Sequence, residues 1–305
     1  MGIPSEFVER EYESLFIQEL NKLGSFTWSP GQTDEYLLGF DGASWVDPRL
    51  LMKFGFPSPV LVKRMRRFLP FWPREFWYGE SLSSEYLEGW QKFADDFFPK
   101  NALNFFVQHK RPFQTTELGA AGAHWKKAYF EVKIDKDQQR RLEILEDYIG
   151  QSGIVTYAGA AFLSKKELWK HQENRTLISS SNFVSAKKLQ GHSRYTYIEA
   201  GHSGFANEEP TEINDEPILK RIQSAYEYSE ANFTDQIKRA GKIVEKVMLE
   251  SDSNRTGLYF SLQNRVLERT DFGLDVDSLF FSVLRVTLFN MVNSTSWMVI
   301  SKPDI

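Results

Sequence analysis

The stretch Leu103-Asn-Phe-Phe-Val-Gln-His-Lys-Arg-Pro112 decides how the chain is read. It is an apolar run of strong β-formers that turns polar at Gln108 and Lys110 and stops at a proline, the pattern of a buried strand whose end emerges at a site. Side chains alternate along a strand, so Gln108 and Lys110 share one face while His109 points to the other, where it is expected to pack. A glutamine and a lysine together at the end of a core strand are costly to desolvate unless a site uses them. The competing reading is an edge strand with a snorkelling lysine. Upstream, Tyr36-Leu-Leu-Gly-Phe-Asp41-Gly42 is a second apolar strand, opened by Glu35 and ending on an acid beside glycine. Asp41 held there either offers an oxygen ligand to a hard cation such as Mg2+ or closes a simple Asp-Gly turn.

Outward from these two strands the chain alternates helix and strand. Residues 5–23 form an amphipathic helix with Ser5 as the expected N-cap and Val8, Tyr12, Leu15, Phe16, Leu20 and Leu23 as its stripe. Glu13 lies next to that stripe, at the helix–sheet boundary or simply in solvent. Residues 45–102 read as a long aromatic insertion, with a helix over 83–98. Its basic cluster, Lys63, Arg64, Arg66 and Arg67, is followed at once by Phe68-Leu-Pro-Phe-Trp. Basic residues interleaved with aromatics suit a nucleic-acid surface, while the aromatics alone would equally pack the insertion onto the core. Further on, Lys136–Ile149 is a clear helix, 154–162 a central strand, and 164–171 a short helix capped by Ser164. Strands are expected at 177–184 and 195–200. Beyond Pro210 helical spacing takes over at 214–229, 234–250, 259–268 and 276–298, the last apolar on most of its circumference. The organisation predicted is a mixed α/β domain over 1–210 and a helical C-terminal region over 211–305. The last helix either inserts between that domain and its neighbours or completes a dimer interface.

Composition narrows the function classes. The 305 residues include 25 Phe and 8 Trp, enough for a large core, and a net charge of -4 leaves any nucleic-acid attraction to local patches. Absence of cysteine excludes disulfides and thiolate chemistry and favours a cytoplasmic protein. The N-terminus lacks the order of a secretion signal, and the most apolar segment, 279–292, is too short for a bilayer and carries Arg285. The five histidines (His109, His124, His171, His192, His202) are too scattered for a zinc site, and no phosphate-cradling glycine loop is present.

A first helix with Tyr12-Glu13-Ser14-Leu15, a strand ending Gly39-Phe-Asp-Gly42, a strand reading Val107-Gln-His-Lys-Arg111 and a later helix opening with Gln138 occur here in an order that resembles the PD-(D/E)xK nuclease superfamily. The resemblance is to its Mrr-like restriction branch, in which glutamine often replaces the middle acid. It covers about half the chain. It implies a restriction-endonuclease-like mixed sheet flanked by helices, with Asp41 as metal-binding acid, Gln108 at the acid/glutamine position, Lys110 as catalytic lysine and Glu13 as first-helix acid. Glu35 would be a further metal ligand, and Arg111 and Gln138 would join the basic cluster in contacting nucleic acid. Asp41 and Gln108 stand much further apart than in the family's usual hairpin, so the aromatic insertion is expected to loop out without disturbing the strand pair. Gln108 in place of an acid also removes a negative charge from the metal site.

On the residue chemistry, phosphodiester hydrolysis needs a metal to polarise phosphate and activate water, and a cation for the developing charge. The expectation is a Mg2+-dependent DNA endonuclease, of restriction or anti-phage type, working as a homodimer or with a partner protein that supplies target choice. The alternative is an inactive nuclease-like fold serving as a nucleic-acid-binding or complex-forming subunit.

Overall fold

The computed structural model describes residues 2–22, 102–115, 125–207, 210–228, 231–251, 254–269 and 277–301. Asp41, Glu35, the basic cluster at 63–67 and the helix expected at 83–98 lie outside these residues. The described chain is mixed α/β, with seven α-helices and ten strands.

The organising strand is β2 (Ala102–Lys110), buried along all but its last residue. Its apolar run faces packed layers on both sides, as inner strands of a mixed sheet require. On one side it pairs in parallel with β5 (Gly153–Ala160), with Gln108 level with Tyr157 and Lys110 level with Gly159. On the other it pairs antiparallel with β10 (Ser296–Ser301), Val107 opposite Ser296 and Ala102 opposite Ser301. With β6 (Ser181–Ser185) beyond β5, the sheet order is β10-β2-β5-β6. A second, antiparallel sheet has the order β1-β3-β4-β7-β8-β9, its strands being Ile3–Pro4, Phe113–Thr115, Tyr129–Lys133, Arg194–Tyr197, Ser203–Asn207 and Thr211–Asn214.

Alternation along β2 sorts its side chains into two cores. Leu103, Phe105 and Val107 pack with α1 (Glu9–Lys22) through Tyr12, Phe16 and Leu20. Phe106 packs on the opposite face with α2 (Lys136–Ile149), α5 (Phe233–Glu250) and α7 (Leu279–Asn293). The remaining helices are α3 (Lys165–Asn174), α4 (Ile218–Tyr228) and α6 (Asn254–Arg269). Helix α2 starts where expected because the Asp135 carboxylate accepts from the Gln138 backbone N–H at 2.7 Å.

Three local expectations are corrected. Ser5 does not cap α1: its hydroxyl donates to the Phe7 carbonyl, and the helix begins at Glu9, after Pro4 has been drawn into β1 beside β3. The Glu11 carboxylate instead accepts from the Val8 N–H, and Val8 is half exposed rather than part of the stripe. The strand expected at 177–184 starts at Ser181, because Glu19 binds the backbone N–H groups of Leu177 and Ile178 in a turn.

The largest correction concerns the C-terminal segment. The helix expected over 276–298 ends at Asn293, Ser294 turns left-handed at φ 52, and 296–301 form a strand. That strand pairs with β2 over 102–107, and the strand expected at 36–41 lies outside the described residues. An all-round apolar run has the same appearance whether it becomes a buried helix or a buried strand. Leu284, Leu288 and Phe289 of α7 share one core with Phe106 and with Val244 of α5.

Candidate functional site

The polar end of β2 emerges beside the N-terminal end of α2, and three side chains meet there. Lys110 Nζ donates to Gln138 Oε1 at 2.8 Å, and Gln138 Nε2 donates to Gln108 Oε1 at 2.5 Å. The remaining Gln138 hydrogen goes to the main-chain oxygen of Asn293. Both amide hydrogens and the amide oxygen of Gln138 are therefore engaged, and the side chain is 4% exposed. In this arrangement it braces the cluster and offers no donor to a phosphate.

Helix α1 supplies the acids. Gln108 Nε2 lies 3.4 Å from Glu9 Oε1, a long contact, and donates to the His109 carbonyl at 2.9 Å. One helical turn on, Glu13 accepts from the Ser296 hydroxyl of β10. Burial pushes the Glu9 carboxyl above its ordinary value, against the pull of the Lys110 charge. Burial likewise raises Glu13, with the Ser296 bond and Arg10 acting in the opposite direction. Lys110 is pushed down by burial, opposed by the carboxylates of Glu9 and Asp135 and helped by Arg255. Its ammonium also lies 5.7 Å from the centre of the Tyr157 ring.

The sequence-derived residues divide clearly. Gln108, Lys110 and Gln138 come together at this strand end, and Glu13, one helical turn from Glu9, binds Ser296 of β10 beside them. Arg111 turns to the N-terminal segment, where its guanidinium binds the Ser5 hydroxyl at 3.2 Å and the Ser5 carbonyl. Asp41, Glu35, Lys63, Arg64, Arg66 and Arg67 lie outside the described residues. His109 packs as expected, edge-on to the rings of Tyr12 and Phe16, and burial lowers its pKa to about 3, so it is neutral.

Sequence reasoning missed Glu9, Asn293 and Ser296 as site residues. Glu9 had a usable signal, since it precedes Glu13 by four residues and so shares its helix face. Asn293 and Ser296 had none. They reach the site only because β10 pairs with β2, and Asn293 is further held by accepting from Arg141 Nε and donating to the Phe289 carbonyl.

Chemically, the cluster combines a half-desolvated ammonium, two carboxylates whose charged forms are disfavoured, and a chain of amides. Carboxylate and amide oxygens are the donor types hard cations take. Among the described residues, no three acidic or imidazole side chains converge on one point to hold a metal. Glu9, Glu13 and the Gln108 amide oxygen thus make at most part of a coordination set. No described helix is long and apolar enough to cross a membrane. Compared with protein-family models, curated proteins and solved structures, the chain matches none.

Proposed function

We propose that the protein is a Mg2+-dependent endonuclease of the PD-(D/E)xK kind acting on DNA, and that the end of β2 is its active site. One observation carries this reading: Lys110 and Gln108 meet Gln138 at the carboxyl end of a strand parallel to β5, beside the helix that leads into β5, with the carboxylates of Glu9 and Glu13 on α1. Ligands of α/β sheets bind outside the carboxyl ends of parallel strands, and this is such an end. Glu13, Glu9 and the Gln108 oxygen would hold Mg2+ together with Asp41 and Glu35. When bound, the metal polarises the phosphate and lowers the pKa of water. Lys110 carries the charge that meets the developing negative charge on the phosphate. Gln138 keeps that ammonium in place, and Asp135 and Glu9 favour its protonated form. A homodimer, or a partner protein supplying target choice, and a role in restriction or phage defence belong to the same proposal.

One feature favours a second reading, an inactive fold that binds nucleic acid or a partner protein. Gln138 engages both the Lys110 ammonium and the Gln108 oxygen, so part of the cluster's hydrogen-bonding capacity is spent within the protein. Nicking of supercoiled plasmid separates the two. The nuclease reading expects cleavage with Mg2+, none with EDTA, and a loss of about 10²- to 10³-fold in Lys110→Ala, the size of losing one charge-stabilising donor. Wild-type cleavage that survives Lys110→Ala overturns the assignment, and binding without cleavage selects the second reading.

A further inference from the structure

Helix α3 carries an aromatic residue that neither core uses. Trp169 is 54% exposed, whereas Leu168 beside it is 1% exposed and fills the core under α1. The helix is held firmly. Ser164 and Glu167 form a reciprocal capping box, and Arg175 closes the other end in the left-handed conformation. Its first turn is tied to the first turn of α1, where Lys165 Nζ pairs with Glu11 at 2.8 Å, and to the segment before that helix, where the Lys165 N–H donates to Glu6 at 2.9 Å. Helix α3 therefore displays its outer face from a fixed position next to the helix that carries Glu9. It also follows directly from β5, whose Gly159 is level with Lys110.

On that outer face Lys166 lies one turn before Trp169, Lys170 lies one turn after Lys166 along the adjoining ridge, and all three are exposed. Arg175 is exposed at the end of the helix. Of the two acids, Glu167 is turned back onto Ser164 at 2.7 Å, which leaves Glu173 as the counter-charge. The surface is thus an exposed ring with two cations, one turn apart, along one side of it. Two features argue for an unpaired nucleic-acid strand. Every base presents a π-face that stacks on such a ring without regard to sequence, and the intervening phosphates match lysines one turn apart.

We propose that α3 is a docking face for single-stranded nucleic acid, with Trp169 as the stacking platform for an unpaired base and Lys166 and Lys170 as phosphate contacts. This rests on the reading of the neighbouring cluster as a nucleic-acid site, and it assigns that site a substrate with unpaired character. The test is fluorescence anisotropy with labelled oligo(dT) and with a duplex of the same length, in EDTA so that no cleavage intervenes. The full chain should bind oligo(dT) more tightly than duplex. Trp169→Ala should weaken oligo(dT) binding about 10-fold, within the range for losing one base stack, while Trp169→Phe keeps most of it. Lys166→Ala with Lys170→Ala should reduce the salt slope of single-strand binding by about 1.4, the release expected for two phosphate contacts. Circular dichroism checks that these surface variants fold. Trp169→Ala binding like wild type, Trp169→Phe as weak as Trp169→Ala, or an unchanged salt slope overturns the proposal. An acidic protein partner would appear as lysine-dependent binding elsewhere, with no response of oligo(dT) to Trp169. Trp169-dependent binding without plasmid nicking leaves this proposal standing and removes the nuclease reading, and nicking with Trp169-independent binding does the reverse.

Discussion

Helix α2 ends in two polar clusters that treat charge differently. Near its C-terminal end Glu146 accepts from the Ser185 hydroxyl at 2.6 Å and the Lys187 N–H at 2.7 Å. Arg221 stands between Glu146, at 3.6 Å, and Asp215, at 3.2 Å. Each carboxylate there meets both a guanidinium and a neutral donor. At the N-terminal end Lys110 is bound by a neutral amide oxygen, and Glu9 and Glu13 accept from an amide and a hydroxyl. Burial raises Glu146 as it raises Glu9 and Glu13, so burial does not tell the clusters apart. Direct ion pairing does. A cluster whose charges touch one another ties α2, α4 and the strands together, whereas one whose charges act on each other only at a distance and hydrogen-bond to neutral groups retains the capacity to meet a charged ligand.

The sharpest break of this comparison exchanges the losses. Lys110→Ala is expected to remove about 10²- to 10³-fold of any Mg2+-dependent cleavage while the urea midpoint hardly moves. Arg221→Ala is expected to destabilise the fold by about 3 kcal/mol, because it leaves two carboxylates facing each other, with little effect on the chemistry of the other cluster. A Lys110 variant that unfolds, or an Arg221 variant that is fully stable, would erase the distinction.

His109 sharpens it from the other face of the strand. Its pKa falls from 6.5 to about 3 in the folded chain because its ring is buried against Tyr12 and Phe16. Between those values the unfolded chain binds the extra proton. The histidine's contribution is therefore intact above pH 6.5 and is lost as pH falls, by about 1.4 kcal/mol per pH unit. His109→Phe should remove that slope from urea midpoints measured between pH 6.5 and 5. Raised carboxylates act with the opposite sign, since the folded chain holds their protons more tightly and stability falls as pH rises past their ordinary value of 4.5. Glu9→Gln should accordingly flatten a decline on the alkaline side of that value. The smallest effect is expected for Ser296→Ala, about 1 kcal/mol from the lost bond to the partly solvated Glu13, read as a shift in urea midpoint.

Local chemistry was sufficient for much of this. The β2 run, the faces assigned to Gln108, Lys110 and His109, and the α2 helix with Gln138 in its first turn follow from period-two and period-3.6 patterns, which any short window carries. Local patterns also mislead where two outcomes satisfy them equally. Ser5 has the chemistry of an N-cap, but pairing of Ile3 and Pro4 with β3 moved the helix start to Glu9.

What the sequence determined by itself is which residues want burial and in which local geometry: an apolar strand that turns polar at 108, a capped helix at 136–149, an acid-bearing helix beside them. What the tertiary structure alone decided is who stands next to whom. The 296–301 segment became the neighbour of β2, which brought Ser296 to Glu13 across 283 residues of chain and Asn293 to Gln138 across 155. The reason is physical. Periodicity records burial, which each residue seeks locally, whereas strand pairing is set by which edge is left open once the helices have packed, a choice made by the whole core at once.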